Sequence, residues 1–314
     1  MAEVKPQAAG WQAQLKLGFE ARAGRTVLIR QQHTGPLAVQ KPFYPESGTC
    51  HVYVLHPPGG VVGGDRLSIE MNVAQGAHAV ITTPASTKFY RSSGALSVQA
   101  HSLKVAEDAT LEWLPQETIL FAGCRITTTT RAALAPGARF IGWEIFCLGR
   151  PAANESFDKG TCRQRFELWQ EAAPLWVERA KLEGNSRLLS APWGLRGHTV
   201  FGTLVATPAN EALQAAVRER VMLSTDELFS ATLIDQVLVC RYLGDHAEAA
   251  RCCFTNAWSM IRPGLWVAPR VRRGSGGPSG GAVLSIIVVQ RFNPSLDAKL
   301  WIVCRQTLAA YSSM

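Results

Sequence analysis

A mainly β fold, a layered and solenoid-like stack of short strands with a small two-helix region near the C-terminus, follows from three features of the sequence. The first is β-branched and aromatic alternation punctuated by Gly, Pro and Asn. The second is a strand-turn-strand unit that recurs, and the third is the confinement of helical periodicity to the last third of the chain. At 314 residues, with 47% hydrophobic and 18% charged residues and 27 glycines, the chain is long enough to bury a sizeable core and fits a turn-rich globular protein.

Strand-like segments cover residues 26–30, 50–55, 67–73, 78–83, 96–105, 111–114, 125–130 and 140–146. Three stretches superimpose as copies of one unit: NVAQGAHAVITTP (72–84), KVAEDATLEWLP (104–115) and ALAPGARFIGWE (133–144). Their turn alanines, Ala77, Ala109 and Ala138, recur at spacings of 32 and 29 residues, in the range where each repeat buries its face only by stacking on its neighbours. A β-sandwich with regular turns would also give periodic hairpins. Helical signal begins at Asn210, a plausible N-cap ahead of EALQAAVRERVML. A second helix is expected from Asp245 to Arg262, stopped by Pro263-Gly264.

Charge divides the chain into 1–263, a β-rich domain, and 264–314, a divergent basic tail. The tail holds Arg270, Arg272, Arg273, Arg291, Lys299 and Arg305 against Asp297, so it carries +5 of the net +8. No RNA-recognition, zinc-finger or helix-turn-helix signature turns this basicity into a nucleic-acid site. Charges at Glu3, Lys5, Lys16 and Glu20 interrupt any secretory core, and the longest apolar run, 282–289, is too short to span a bilayer, so a cytoplasmic chain with no membrane segment is expected. The eight cysteines lack C-x-x-C spacing and sit mostly in apolar runs, which indicates reduced, buried thiols. The adjacent Cys252 and Cys253 would point about 100° apart on a helix and make a poor chelate.

The common enzyme signatures are missing. There is no phosphate loop, no H-E-x-x-H and no G-x-S-x-G, and the closest phosphate-loop lookalike, Gly59 to Asp65, ends in an acid where the phosphate needs a lysine. What stands out is His56-Pro-Pro-Gly-Gly-Val-Val-Gly-Gly-Asp65, where Gly59, Gly60, Gly63 and Gly64 permit tight turns and close approach to another surface. It reads either as a structural turn or as an interaction loop with an ion-path role for His56 and Asp65. After the first repeat, Thr82, Thr83 and Ser86 could cap loop backbone or line a polar passage. Aligning the turn alanines puts Thr83 level with Pro115 and Glu144, with Gln116 and Glu117 just beyond, so polar groups would stack into a hydrophilic seam. Carboxylate oxygens in such a seam would hold a divalent cation loosely enough to release it. Glu144, inside the apolar run 141–146, is either solvent-facing, the commoner outcome, or held by a partner. Glu178 has the same character, with Arg179 or Arg163 as simple pairing candidates.

Six ordered blocks carry a resemblance: Gln40-Lys-Pro-Phe-Tyr-Pro-Glu46, Leu55 to Asp65, Lys88-Phe-Tyr-Arg-Ser-Ser93, Leu111-Glu-Trp-Leu-Pro-Gln-Glu117, Cys147-Leu-Gly-Arg-Pro151 and Leu175-Trp-Val-Glu-Arg179. Over about residues 11–263 the chain resembles the UreD (UreH) urease accessory family. The resemblance implies a non-enzymatic scaffold of two-layered helical β architecture that joins UreF and, through the UreF-containing complex, the GTPase UreG. That assembly docks on apo-urease, and nickel(II) is expected as transient cargo, with no permanently bound cofactor and no fixed metal site. Carried over residue by residue, the nickel path would include Asp65, Glu117, Glu144 and Glu178, with Thr82, Thr83 and Ser86 beside them. The sequence departs from the family after Arg262-Pro263, where the family's closing Pro-Arg-Ile-Trp is replaced by the Gly- and Arg-rich tail. That departure reads as a frameshifted, acquired or genuine extension, and it bears on UreF docking more than on the fold. Two alternatives remain: a plain scaffold that conducts no metal, and a β-solenoid carbohydrate-active enzyme using Glu117 and Glu144 as acid and base. Only 8% aromatic residues argue against the latter.

Overall fold

The turn alanines set the geometry of the β body. Ala77, Ala109 and Ala138 each donate their amide to the carbonyl three residues back, at 3.0–3.1 Å. Positive φ is confined to the third position of each turn, at Gly76 (67°), Asp108 (54°) and Gly137 (71°), which defines type II turns. Successive turns are bonded to one another, Thr110 N–H to the Ala77 carbonyl and Arg139 N–H to the Ala109 carbonyl, both at 2.8 Å. The repeat is therefore a coil whose corners are stacked.

The computed structural model describes residues 10–46, 48–221 and 226–265. In chain order the first strands are β1 (Gln12–Arg22), β2 (Arg25–Thr34), β3 (Ala38–Val39), β4 (Cys50–Leu55), β5 (Arg66–Val73), β6 (His78–Thr82), β7 (Thr87–Phe89) and β8 (Ser97–Val105). They continue with β9 (Thr110–Leu114), β10 (Thr118–Leu120), β11 (Arg125–Leu134), β12 (Arg139–Leu148), β13 (Thr161–Gln170), β14 (Ala173–Glu183), β15 (Val200–Thr207), β16 (Leu228–Ile234) and β17 (Val237–Gly244). The helices are a single-turn α1 (Arg187–Ser190), α2 (Glu211–Arg220) and α3 (Ala247–Leu265). All eight segments read as strands coincide with strands, Thr83 and Leu96 alone falling one residue outside, and the layered stack is what the chain forms.

One sheet has the order β14-β13-β11-β8-β5-β1-β2 and the other β16-β17-β15-β12-β9-β6-β4-β3. Along the coil the pairing is parallel: Arg66 faces Val98, Ser97 faces Ile126 and Arg125 faces Thr161 in the first sheet, and His78, Thr110 and Arg139 align in the second. A short third side is made by β7 and β10, with Thr118 level with both Thr87 and Phe146. Antiparallel hairpins close both ends of the first sheet, β1 with β2 and β13 with β14, and each hairpin carries a register shift, at Gly18/Phe19 and at Leu168/Trp169.

The main core lies between the sheets, where Leu15, Leu17, Phe19, Met71, Leu103, Phe140 and Phe166 are out of solvent. A second core on the outer face of the second sheet packs Ile141, Ile145, Leu204 and Leu238 against Val217 of α2 and Phe254, Ala257 and Ile261 of α3. Asn210 caps α2, accepting the Leu213 amide at 2.9 Å. The expected stop at Pro263-Gly264 is corrected: α3 runs through Pro263 to Leu265. Pro263 has no amide to give the carbonyl four residues back, so the last turn continues without that one bond. Asp245 does not begin the helix either, since its carboxylate ties down Thr199 and His198. No described helix is long and apolar enough to cross a membrane. Cys50, Cys124, Cys147, Cys162, Cys240 and Cys253 are buried free thiols and Cys252 is exposed, while Cys304 and the tail from 266 onward lie outside the described residues.

Candidate functional site

Strand phase puts polar side chains where the core would otherwise be apolar. On the inner face of the first sheet, Gln99, Thr128 and Gln164 stand in one row and His101 and Thr130 in the next. Glu144 projects toward them from β12, and it is buried. This corrects the expectation of solvent exposure: the inward phase of Phe140, Gly142 and Glu144 turns the carboxylate away from the outer surface, so partners must hold it.

The partners form a directional chain. Thr130 Oγ1 donates to Glu144 Oε1 at 2.6 Å and Gln164 Nε2 donates to Glu144 Oε2 at 2.9 Å. With its proton committed to Glu144, the Thr130 hydroxyl accepts from His101 Nδ1 at 2.8 Å, which leaves His101 Nε2 to accept from Gln99 Nε2 at 2.9 Å. Burial pushes the His101 imidazolium pKa down to about 4, so the ring is neutral near pH 7. Burial pushes Glu144 up to about 7, against the lowering effect of its two hydrogen bonds, and the nearby Glu178 charge adds to the rise. Among the described residues Glu144 has no cationic partner.

Gln99, His101, Thr128 and Glu144 line a cavity of about 350 Å³ that also touches His56, Gly59, Thr83, Ser86 and Gln116. Four side-chain atoms of residues that line it, His56 Nε2, Gln99 Oε1, Trp113 Nε1 and Thr128 Oγ1, are buried without a hydrogen-bond partner among the described residues. Each such atom costs about 1–3 kcal/mol while it stays unpaired.

The residues singled out in the sequence divide into groups. Thr83, Pro115 and Glu144, aligned through the turn alanines, all reach the cavity wall, and Ser86 and His56 join them. Glu117 is buried just outside it, bonded by Ser86 Oγ at 2.6 Å and by Arg251 Nη1 at 2.5 Å. Burial would raise its pKa, but those bonds and the Arg251 charge hold it below the usual carboxylate range. Glu178 pairs with neither Arg179 nor Arg163: it takes Arg241 Nη2 at 2.8 Å and Thr203 Oγ1 at 3.0 Å, because β14 turns it inward while Arg179 faces out toward Glu167. Asp65 is a loop cap, its two oxygens accepting the Trp11 and Val62 amides at 2.8 and 2.9 Å. Thr82 donates to the Leu114 carbonyl and Thr83 accepts the Gln116 amide. In the glycine loop, a Cβ on Gly60 would collide with the Tyr90 ring and Gly64 has a φ of 97°, while Gly63 packs on Ser92. These contacts match the structural-turn reading of that loop.

A second buried cluster lies on the opposite face of the second sheet. Glu112 accepts from Trp258 Nε1 at 2.5 Å and Arg262 Nε at 2.9 Å and meets His78 Nε2 at 2.5 Å. Arg262 Nη1 reaches Glu46 Oε2 at 2.7 Å, Nη2 bonds Oε1, and His51 Nε2 lies 2.8 Å from the same carboxylate. Burial works against ionisation of Glu46, yet the His51 and Arg262 bonds bring it down to about 2, and Glu112 is likewise lowered. Among the described residues no group of three His, Cys, Asp or Glu side chains converges as a metal site.

Fold and site together define a two-layered β-helical protein with a partly polar cavity inside its core and with α2 and α3 packed on the outer face of the second sheet. The chain belongs to the UreD urease accessory protein family, whose sequence model matches residues 12–274. It is 45% identical over 258 residues to the urease accessory protein UreD of Alkalilimnicola ehrlichii, covering 82% of this chain and 88% of that one. It is 47% identical over 268 residues to UreD of Marinobacter nauticus, with 82% and 90% covered. To UreD of Klebsiella pneumoniae subsp. pneumoniae it is 44% identical over 275 residues, with 85% and 97% covered.

Proposed function

We propose that this chain is a cytoplasmic urease maturation factor: a non-enzymatic scaffold that links UreF and UreG to apo-urease and lets nickel(II) pass through its polar cavity. The observation that carries the conduit reading is Glu144, a buried carboxylate with no cationic partner among the described residues, lining a cavity together with Gln99, His101 and Thr128. Oxygen donors bind a divalent cation more loosely than thiolate or imidazole sites, which suits cargo that must leave. His56, Thr83 and Ser86 line the same cavity, Glu117 flanks it through Ser86, and Glu178 bonds Thr203, the cross-strand neighbour of Glu144. Division of the chain into 1–263 and 264–314 belongs to this reading as well.

A plain scaffold is the second reading, favoured by one fact: Asp65, Glu117 and Glu178 are already satisfied by internal partners. The two part on Glu144→Leu. Cells lacking their own UreD-type gene, complemented with the full chain, should regain urease activity and nickel in the active site. A conduit loses both with Glu144→Leu while UreF co-purification persists. Full activation by that variant leaves only the scaffold, and no activation by the unaltered chain removes the urease assignment.

A further inference from the structure

The carboxylates around the cavity differ in one respect that their sequence does not show. Glu144, the deep one, has neutral donors only, whereas the two flanking ones each carry a guanidinium. We propose that Arg251 and Arg241 are counter-ion gates, each occupying the carboxylate oxygens that a passing divalent cation would otherwise engage at Glu117 and Glu178. This rests on the conduit reading and adds its regulation.

The geometry of both pairs is that of a lid. Arg251 is 34% exposed over a Glu117 that is 10% exposed, and Arg241 is 49% exposed over a Glu178 at 19%. In each pair the arginine is therefore on the solvent side of its acid. Arg251 Nη1 is held twice, by Glu117 Oε2 at 2.5 Å and by Gln116 Oε1 at 3.1 Å, and Gln116 is itself part of the cavity wall. Arg241 lies in the same cross-strand row as Thr203 and Glu144, so its guanidinium closes the outer end of a line of polar groups that starts at the cavity. A guanidinium and a metal dication repel one another and compete for the same oxygens, so both cannot be held at once.

Opening needs no backbone movement, because each arginine is partly exposed and its long side chain can swing into solvent. The largely buried acid left behind then lacks its counter-ion, which a dication would supply. Both arginines come from β17 and α3, in the C-terminal part of the described fold, while both acids come from the coil and its closing hairpin. A protein that engages α3 or the β16–β17 hairpin and draws off either guanidinium would thus uncover a carboxylate beside the cavity, tying cation entry to docking.

The test is nickel(II) binding to the untagged full-length protein by equilibrium dialysis at low ionic strength, with thermal melts as a folding control. Arg251→Gln and Arg241→Gln should each tighten nickel(II) binding roughly two- to fivefold, the reach of one such ion pair. Arg251→Lys should restore the wild-type value, and adding Glu117→Gln to Arg251→Gln should abolish the gain. Unchanged or weaker binding by both folded Gln variants overturns the gate. Glu144→Gln separates the two ideas: if it weakens binding while the arginine variants change nothing, only the gate fails. If neither it nor the arginine variants alter binding, the conduit reading fails with it.

Discussion

Glu112 and Glu144 lie on neighbouring strands of one sheet, both removed from water, and they end in opposite electrostatic states. Glu112 faces α3, where Arg262, Trp258 and His78 surround it and lower its pKa. Glu144 faces the cavity, where Thr130 and Gln164 supply neutral hydrogen bonds and burial lifts it to about 7. Burial alone does not assign a role to a carboxylate; the charge that accompanies it does. A compensated acid fastens one element to another, and an uncompensated one is left to attract a cation from elsewhere.

The largest expected effect tests the fastened side. Arg262→Met leaves Glu112 and Glu46 buried without their guanidinium and should cost about 3–5 kcal/mol in urea unfolding. A loss below about 1 kcal/mol would mean the cluster does not depend on its arginine. The next effect contrasts the two acids through pH. Glu46, depressed to about 2, contributes stability that is present above its ordinary value of 4.5 and is lost as pH falls through 2. For Glu144, raised to about 7, the sign reverses: its contribution is whole below 4.5 and is lost as pH rises through 7. Glu144→Gln should therefore match the wild type at pH 4 and be more stable at pH 8, by on the order of 2 kcal/mol. Equal stability at both values would place Glu144 in a solvated setting. The smallest effect sharpens the open side: Thr130→Val removes the donor to Glu144 at constant shape and should cost about 1 kcal/mol at pH 8, measured by the same denaturation.

Much of the coil was legible because its corners repeat a chemical requirement. A type II turn demands a residue that tolerates positive φ, and Gly76, Asp108 and Gly137 recur one place before a buried alanine. β1 was legible in principle, since Ala13, Leu15, Leu17 and Phe19 alternate, but a segment at the start of a chain invites a search for targeting signals rather than strands. The cavity could have been found from phase alone: Gln99 and His101 share the inward phase of Leu103 and Val105, and Thr128 and Thr130 that of Ile126 and Ala132. Polar groups at inward positions of several adjacent strands are the signal that a lone histidine lacks. Arg251 and Arg262 left no such trace, because they meet Glu117 and Glu46 across 134 and 216 residues of sequence. Only tertiary packing brings them together.

The two hairpins that close the first sheet carry a consequence for how the protein behaves in concentrated solution. A stack of parallel strands ending on a bare rung would offer its open edge to the next molecule and grow into fibres. Here β2 and β14 run against the coil, each hairpin bears a bulge, and the outward positions of β14 present Arg179, Lys181 and Glu183. At both edges of the first sheet the chain's own geometry thus disfavours the polymer that the repeat would otherwise seed.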